Sequence, residues 1–202
     1  PLLPFFNRIV AFSLLLFKLN FQMSRKSTLD SSLTSLKALI SAGDLEGVKA
    51  ILEGDDGRKA ASTALNTSDW YPIHEACDIG ELDIAVELVQ YGADVNEQDD
   101  LWQTPLMLAM SRGYAEVAKA LIGLGADCEA VDSDGWSIPC HAASGGDIRA
   151  LRLLVEHNVS FARSTETNYG KNMLQLPISG ASNSAEVLRF LVANGVNIHH
   201  RD

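Results

Sequence analysis

The chain has 202 residues, of which 47% are hydrophobic and 21% are charged, and its formal net charge is −10. The acidic balance argues against a nucleic-acid partner, because such binding needs lysine and arginine to displace counterions. The three cysteines lack the spacing of metal ligands and are too few for a disulfide framework. We therefore expect a folded protein in a reducing compartment, cytoplasmic and/or nuclear.

The first segment in chain order is residues 1–32, which we interpret as a leader that is apolar at first and then basic. Its apolar run, Ile9–Phe17, is shorter than the roughly 20 residues that cross a bilayer. No small-residue cleavage site follows the run. Three alternatives stay open: a non-native extension with Met23 as the true start, a signal or anchor segment, or an amphipathic helix. Contact with a membrane is open only for residues 1–22.

Two sets of residues then recur at a spacing of 33. They are Gly92, Gly125 and Asn158, and Gly80, Gly113 and Gly146. The segments around the first set read alike, as ELDIAVELVQYGADVN from residue 81, YAEVAKALIGLGADCE from residue 114 and DIRALRLLVEHNVSFA from residue 147. Self-similarity at a fixed period indicates stacked repeats, which build open surfaces for partners and not closed pockets.

Residues 99–131 show what one unit contains. Thr104 can cap a first helix and Pro105 suits its first position. Gly113 is expected to end that helix in a left-handed conformation. A second helix should begin near Ala115. Its buried stripe should consist of Val117, Ala118, Leu121 and Ile122.

The segments YPIHEA, QTPLMLA, YGADVNEQD and LGADCEAVD, which begin at residues 71, 103, 91 and 124, resemble the ankyrin repeat. The resemblance covers residues 33–202 and implies an all-α solenoid of about five helix-turn-helix units with extended finger loops. The units are residues 33–65, which form a cap, and 66–98, 99–131, 132–164 and 165–202. No polar capping repeat closes the last unit, so we expect the natural protein to continue.

The chain departs from the repeat pattern in three ways. Trp102 stands where the family usually has glycine, and Pro139 comes one position late. Insertions of four residues fall within 53–68 and 160–171. We expect both insertions in loops or fingers, which often lie on the binding face.

Ankyrin repeats mostly bind other proteins through their finger tips and their inner, concave helix surface, so the resemblance implies candidate residues by repeat position. The finger candidates are Trp70, Leu101, Gln103, Ser133, Asp134 and Trp136. The outward candidates of the first helices are Glu75, Asp78, Ile79, Leu108, Ser111, Arg112, His141 and Ser144.

Several of these residues have two interpretations. Trp70 and Trp136 share one repeat position, and each is either a binding hot spot or a ring that packs over a neighbouring finger. Arg112 is either a recognition residue or a solvated charge. Asn96 resembles the residue that asparaginyl hydroxylases modify in ankyrin proteins, and it is also a routine residue of the family.

No catalytic, cofactor or metal site is expected. His74 occupies the family's usual histidine position, where it organises the turn. Cys140 and His141 adjoin in sequence, but adjacent helical residues do not face each other.

We therefore predict a monomeric, non-enzymatic domain that binds a partner protein of unknown identity. The alternative is a regulatory or targeting part of a larger protein, such as a phosphatase-targeting subunit, a ubiquitin-ligase adaptor, or an ankyrin-containing enzyme or channel. The phosphatase alternative rests on residues 8–12, RIVAF, which resemble the motif by which such subunits dock to protein phosphatase 1.

Overall fold

A computed structural model describes residues 30–161 and 184–196 of the chain. Apart from one isolated antiparallel bridge between Val131 and Ser137, the regular structure of these residues is helical. The helices are α1 (residues 30–41), α2 (Leu45–Leu52), α3 (Gly57–Ala61), α4 (Pro72–Ile79), α5 (Leu82–Gln90), α6 (Pro105–Ser111), α7 (Ala115–Gly123), α8 (Ile138–Gly145), α9 (Ile148–Glu156) and α10 (Ser184–Ala193). Among them, none combines the length and apolar composition that a bilayer crossing requires.

The helices form two layers. The first helices of successive units, α4, α6 and α8, pack side by side, and so do the second helices α2, α5, α7, α9 and α10. Pairs within a unit, such as α6 and α7, join the layers. The core lies between them and repeats with the sequence: Leu88, Leu121 and Leu154, spaced by 33, are each at most 1% exposed. Burying each such side chain contributes about 1.5–3 kcal/mol, which one unit could not obtain without its neighbours.

The unit of residues 99–131 has the two helices that its sequence predicts. The Thr104 hydroxyl accepts a hydrogen bond from the Met107 N–H at 3.4 Å, and Pro105 is the first residue of α6. Gly113 takes a φ of 76°, which turns the chain into α7. Three of the four predicted stripe residues are buried, whereas Ile122 is only half-buried. The prediction of an all-α ankyrin solenoid is confirmed by this arrangement.

The turns also explain why an asparagine replaces a glycine in the repeat. Asn158 takes a φ of 57° at the end of α9. Gly92 and Gly125 hold the equivalent place with φ of 99° and 95°. Asparagine is among the side chains that tolerate this left-handed region best, so the turn is kept without glycine.

The first insertion, within residues 53–68, was expected in a loop or finger. The structure shows that part of this segment is the short helix α3, in which Ala60 and Ala61 are buried. Gly57 lies so close to the Leu52 carbonyl that a side chain there would overlap it. Part of the segment that holds the insertion therefore contributes to the core of the first unit.

The structure also bears on the start of the first unit, the second insertion and the last unit. Residues 30–32 are already helical, so the boundary that we place at residue 33 falls inside α1. Most of the second insertion, within 160–171, lies outside the described residues. Of the unit 165–202, the structure describes residues 184–196, which include α10.

Candidate functional site

Each finger loop is organised by the side chain that begins it. The Asp99 Oδ1 atom accepts hydrogen bonds from the N–H groups of Leu101 at 2.9 Å and Gln103 at 2.7 Å. Asn66 and Asp132 accept from the residues two and four positions further on in the same way. These are Asx turns, and they hold the predicted finger residues in place without a partner.

Neighbouring fingers are also tied to one another through their backbones. The Asp100 N–H donates to the Ser68 carbonyl at 3.2 Å, and the Ser133 N–H donates to the Leu101 carbonyl at 3.0 Å. Backbone hydrogen bonds thus join these three finger loops into one continuous surface.

Asn96 makes a further connection between units. Its amide nitrogen donates to the Gly125 carbonyl at 3.2 Å, and its amide oxygen accepts from the Asp127 N–H at 2.7 Å. The side chain is half-buried in this position. Hydroxylation of Asn96 stays a prediction.

His74 ties its helix to the following finger. Its Nδ1 accepts from the Tyr71 N–H at 3.1 Å, and its Nε2 lies 3.1 Å from the Glu97 carbonyl and 3.2 Å from that of Gln103. Because Nδ1 faces a donor and Nε2 faces two acceptors, the ring is the neutral tautomer with its proton on Nε2. Burial lowers the pKa of His74, against smaller opposing effects of Asp99 and the two carbonyls. The organising role that the resemblance implies is confirmed.

His141 does not point outward, and its place among the surface candidates was wrong. It is only 5% exposed, and its Nε2 lies 3.0 Å from Asp132 Oδ2. The Pro-x-His spacing of Pro72 and His74 recurs in Pro139 and His141, but one residue later relative to the helix start at Ile138. One residue turns a side chain by about 100° around a helix, which directs this ring to Asp132 of its own finger, where it is covered.

Asp132 gains a third hydrogen bond from this shift. Burial alone raises the pKa of Asp132, but the bonds from His141 and from the Trp136 and Asp134 N–H groups outweigh that effect and lower the pKa. The carboxylate is therefore stable inside the finger.

Leu108 is a second outward candidate that the structure places in the interior. Its side chain is 7% exposed. Helix α6 has a first helix on each side, α4 and α8, so more of its surface is covered than the repeat position suggests.

Glu75 and Trp70 form one cluster with the first unit. The Trp70 indole N–H donates to Glu75 Oε2 at 2.9 Å, and the Ser41 hydroxyl donates to Oε1 at 2.8 Å. The Trp70 ring also lies 5.3 Å from the His74 ring. This geometry favours the packing interpretation of Trp70.

Arg112 is exposed to solvent and is also paired. Its Nε donates to Asp78 Oδ1 at 2.7 Å and its Nη2 donates to Oδ2 at 3.1 Å. The two residues occupy almost equivalent places in successive units, 34 positions apart. We call the surface formed by Glu75, Asp78, Ile79, Ser111, Arg112 and Ser144 the first-helix surface.

The three tryptophans occupy different environments. Trp136 is half-buried and its ring lies 5.6 Å from the His141 ring, which resembles the placement of Trp70 on His74. Trp102, which the sequence presents only as a departure from the repeat, is 58% exposed, and its neighbour Leu101 is 53% exposed. Of the remaining finger candidates, Gln103 is half-buried, and Ser133 and Asp134 are exposed.

The cysteines offer no activated nucleophile. All three, Cys77, Cys128 and Cys140, are free thiols, and burial is the main cause that raises the pKa of each. The Ser137 hydroxyl donates to the Cys140 sulfur at 3.4 Å, and the His141 ring faces Asp132. Across residues 30–161 and 184–196, no three His, Cys, Asp or Glu side chains are grouped to hold a metal ion.

Stacked two-helix units, a period of 33 and finger loops define a class of repeat protein, and a comparison of sequences agrees. The family described as Ankyrin repeats (3 copies) matches residues 36–132 and 106–202. The chain belongs to the ankyrin-repeat family, whose members serve as protein-interaction modules.

The relatives include regulatory proteins. The chain is 40% identical over 96 residues to Protein phosphatase 1 regulatory subunit 27 of Mus musculus and of Homo sapiens. That match spans 48% of this chain and 60% of the relative, less than two thirds of its length. The chain is also 32% identical over 114 residues to the Nuclear factor NF-kappa-B p105 subunit of Gallus gallus, which is 56% of this chain and 12% of that protein.

Proposed function

We propose that the chain is a non-enzymatic scaffold that binds a partner protein through its finger loops and its first-helix surface. The observation that carries the proposal is the continuity of this surface. Arg112 pairs with Asp78, and Ser41 bonds Glu75, each across 34 positions and hence from unit to unit. A surface held in this way before binding lowers the entropic cost of association.

The chemistry of the described residues supports a binding role. The thiols have raised pKa values, and both buried histidines are engaged with fingers, His74 with carbonyls and His141 with Asp132. The free thiols fit a reducing compartment, and we propose that the domain acts in the cytoplasm and/or nucleus. Each unit buries its apolar stripe against its neighbours in the same chain, which supports a monomer.

The proposal is tested by blocking the first-helix surface. We would compare proximity labelling by the full chain with that of the double variant Ser111→Arg, Ser144→Arg. The matched control is Glu116→Arg on α7, whose exposed side chain lies in the second layer. The double variant should lose a set of labelled proteins that the control keeps. Identical labelling by all three chains, with unchanged circular dichroism, would overturn the proposal.

Trp136 gives a sharper test of the finger loops. If its ring is a hot spot, Trp136→Ala should weaken partner binding by about 2 kcal/mol or more. Because Trp136 lies on the His141 ring, the thermal stability of the variant must be measured in parallel. Unchanged affinity with intact folding would remove Trp136 from the binding surface.

We propose protein phosphatase 1 as the second candidate partner, which would make the chain a phosphatase-targeting subunit. The specific observation is the name of the relatives that are 40% identical, Protein phosphatase 1 regulatory subunit 27. The docking-like segment RIVAF, residues 8–12, agrees with it and lies outside the described residues.

Calorimetric titration of the full chain with the purified catalytic subunit of protein phosphatase 1 tests this candidate. Phe12→Ala should weaken binding at least about tenfold, equivalent to about 1.4 kcal/mol. Phe17→Ala, in the same apolar run, is the matched control and should leave binding unchanged. Absent binding by the natural chain, or equal binding by both variants, would exclude this partner or this motif.

A further inference from the structure

One finger position has an unusual backbone conformation in three successive units. Asp69, Trp102 and Gly135 are spaced by 33, and their φ angles are 48°, 60° and 82°. This left-handed region is free of penalty for glycine and costs free energy in other residues. A bulky residue is rare there, so Trp102 is held in a conformation that its side chain opposes.

The Trp102 side chain makes few contacts that could stabilise the fold. Trp70 and Trp136 pack against the core and against histidine rings. Trp102 is 58% exposed beside Leu101, which is 53% exposed. Within the described residues, the Trp102 indole takes part in no hydrogen bond or ring contact. The strain is therefore not offset by contacts of this side chain in the fold.

The backbone under this apolar pair is fixed on both sides. The Trp102 N–H donates to the Asp99 carbonyl at 2.9 Å, and the Leu101 carbonyl accepts from Ser133 of the next finger at 3.0 Å. Two large apolar side chains thus project from a loop that is already ordered, as the anchors of a preorganised interface do.

The charge around the pair indicates what would cover it. Residues 91–104 contain four acidic side chains, residues 124–137 contain four more, and neither stretch contains lysine or arginine. A cation above the face of an indole is attracted by the ring quadrupole. The aliphatic stem of arginine or lysine can cover a leucine, and the acidic fingers would steer such a segment toward the site.

We propose that Leu101 and Trp102 form the docking point for a basic segment of a partner protein, with an arginine or lysine over the Trp102 ring. This inference rests on the proposed binding function and names the chemistry of the partner. Leu101 is among the finger candidates predicted from the sequence, whereas Trp102 is noted there only as a departure from the repeat pattern.

The test uses the full chain and an immobilised array of ten-residue peptides in which lysine or arginine alternates with leucine or phenylalanine. A matched array carries glutamate in place of each basic residue. At about 0.15 M salt, where charges beyond about 8 Å are screened, the chain should bind the basic array and not the acidic one. Trp102→Gly should weaken that binding at least tenfold, and Leu124→Ala, which trims another exposed leucine (39% exposed), should leave it unchanged.

Thermal unfolding supplies an independent readout. Trp102→Gly should raise the Tm by a few degrees, about 2–4 °C, because glycine adopts this φ without strain. Asp69→Gly, at the same position one unit earlier, should raise it by a comparable or smaller amount.

Three results of the array and unfolding experiments would overturn the inference. They are equal binding of the basic array by Trp102→Gly and the natural chain, preference of the natural chain for the acidic array, and a fall in the Tm of Trp102→Gly, which would show that the ring stabilises the fold. If Trp102→Gly keeps the proteins labelled by the natural chain, the inference fails while the scaffold function stands. If the natural chain labels no protein through the first-helix surface, the function itself fails.

Discussion

The units of residues 66–98 and 132–161 use the same tripeptide pattern for different ties. Pro72 is the first residue of α4, and His74 reaches forward to the carbonyls of the next finger. Pro139 is the second residue of α8, and His141 reaches back to Asp132 of its own finger. The difference of one residue changes a tie between units into a tie within one unit.

The unit between them shows that the fold does not depend on either arrangement. Met107 occupies the position of His74, and its sulfur accepts from the Thr104 N–H at 3.4 Å. All three units nevertheless have a first helix and an Asx turn. The comparison teaches that the buried stripe determines the stack, whereas the polar residue at this position determines how firmly each finger is held.

Substitution of His74 should have the largest effect. His74→Leu leaves the Tyr71 N–H and the carbonyls of Glu97 and Gln103 without their bonds, so we expect about 3 kcal/mol of destabilisation in urea unfolding. Met107→Leu, at the same repeat position, is the control and should cost less than about 1.5 kcal/mol. Equal losses of stability in the two variants would show that His74 holds its finger no more firmly than Met107 does.

Acidification should weaken the hydrogen bonds of His74. The pKa of His74 lies below its ordinary 6.5, mainly through burial, so the unfolded chain binds the proton more readily. The stabilisation is complete above about pH 6.5 and is lost as the pH falls through the lowered pKa of the folded state. Protonation removes the Nδ1 acceptor alone, so the loss should be smaller than that of His74→Leu.

Urea unfolding of the natural chain between about pH 7.5 and pH 5.5 measures this dependence. His74→Leu should flatten the pH dependence, and His157→Gln, at an exposed histidine, should leave it as it is. If the free energy of unfolding of His74→Leu still depends on pH, the dependence arises from another group.

Two aspartate variants test how much the hydrogen bond between His141 and Asp132 stabilises the fold. Asp132→Asn weakens the acceptor that faces His141 Nε2, and we expect a loss of about 1.5 kcal/mol. Asp99→Asn should cost less than about 0.5 kcal/mol, because Asn66 makes the same finger bonds with an amide oxygen. Similar losses in the two variants, from chemical denaturation, would contradict a specific role of His141.

The smallest loss of stability is expected for the ion pair of Arg112 and Asp78, which joins two units without a histidine. The Arg112 side chain is 56% exposed in its pair with Asp78, so Arg112→Gln should cost about 0.5 kcal/mol, and less at high salt. Arg149→Gln removes an ion pair with Asp147 inside one segment and serves as the control for a charge change that joins no units. A loss above about 2 kcal/mol for Arg112→Gln would mean that this pair carries more of the stack than the histidine ties suggest.

Local features of the sequence predicted much of the site. The Thr104 cap, the left-handed Gly113 and the role of His74 depend on residues close in the chain or on the repeat position, and each is confirmed. The outward placement of Leu108 and His141 was wrong, because it assumed that a repeat position has the same exposure in every unit.

The sequence by itself determined the class of architecture, because a period of 33 with one apolar stripe per helix can bury its surface only by stacking. The tertiary structure alone decided which polar and aromatic side chains are engaged in contacts with neighbouring units and which are exposed. The partners of Glu75 and Arg112 stand 34 positions away, and a pattern along the chain does not show contacts across units. For the same reason the sequence names Trp70 and Trp136 as candidates and presents Trp102 only as a departure from the repeat, since exposure depends on which neighbouring ring or helix covers each side chain.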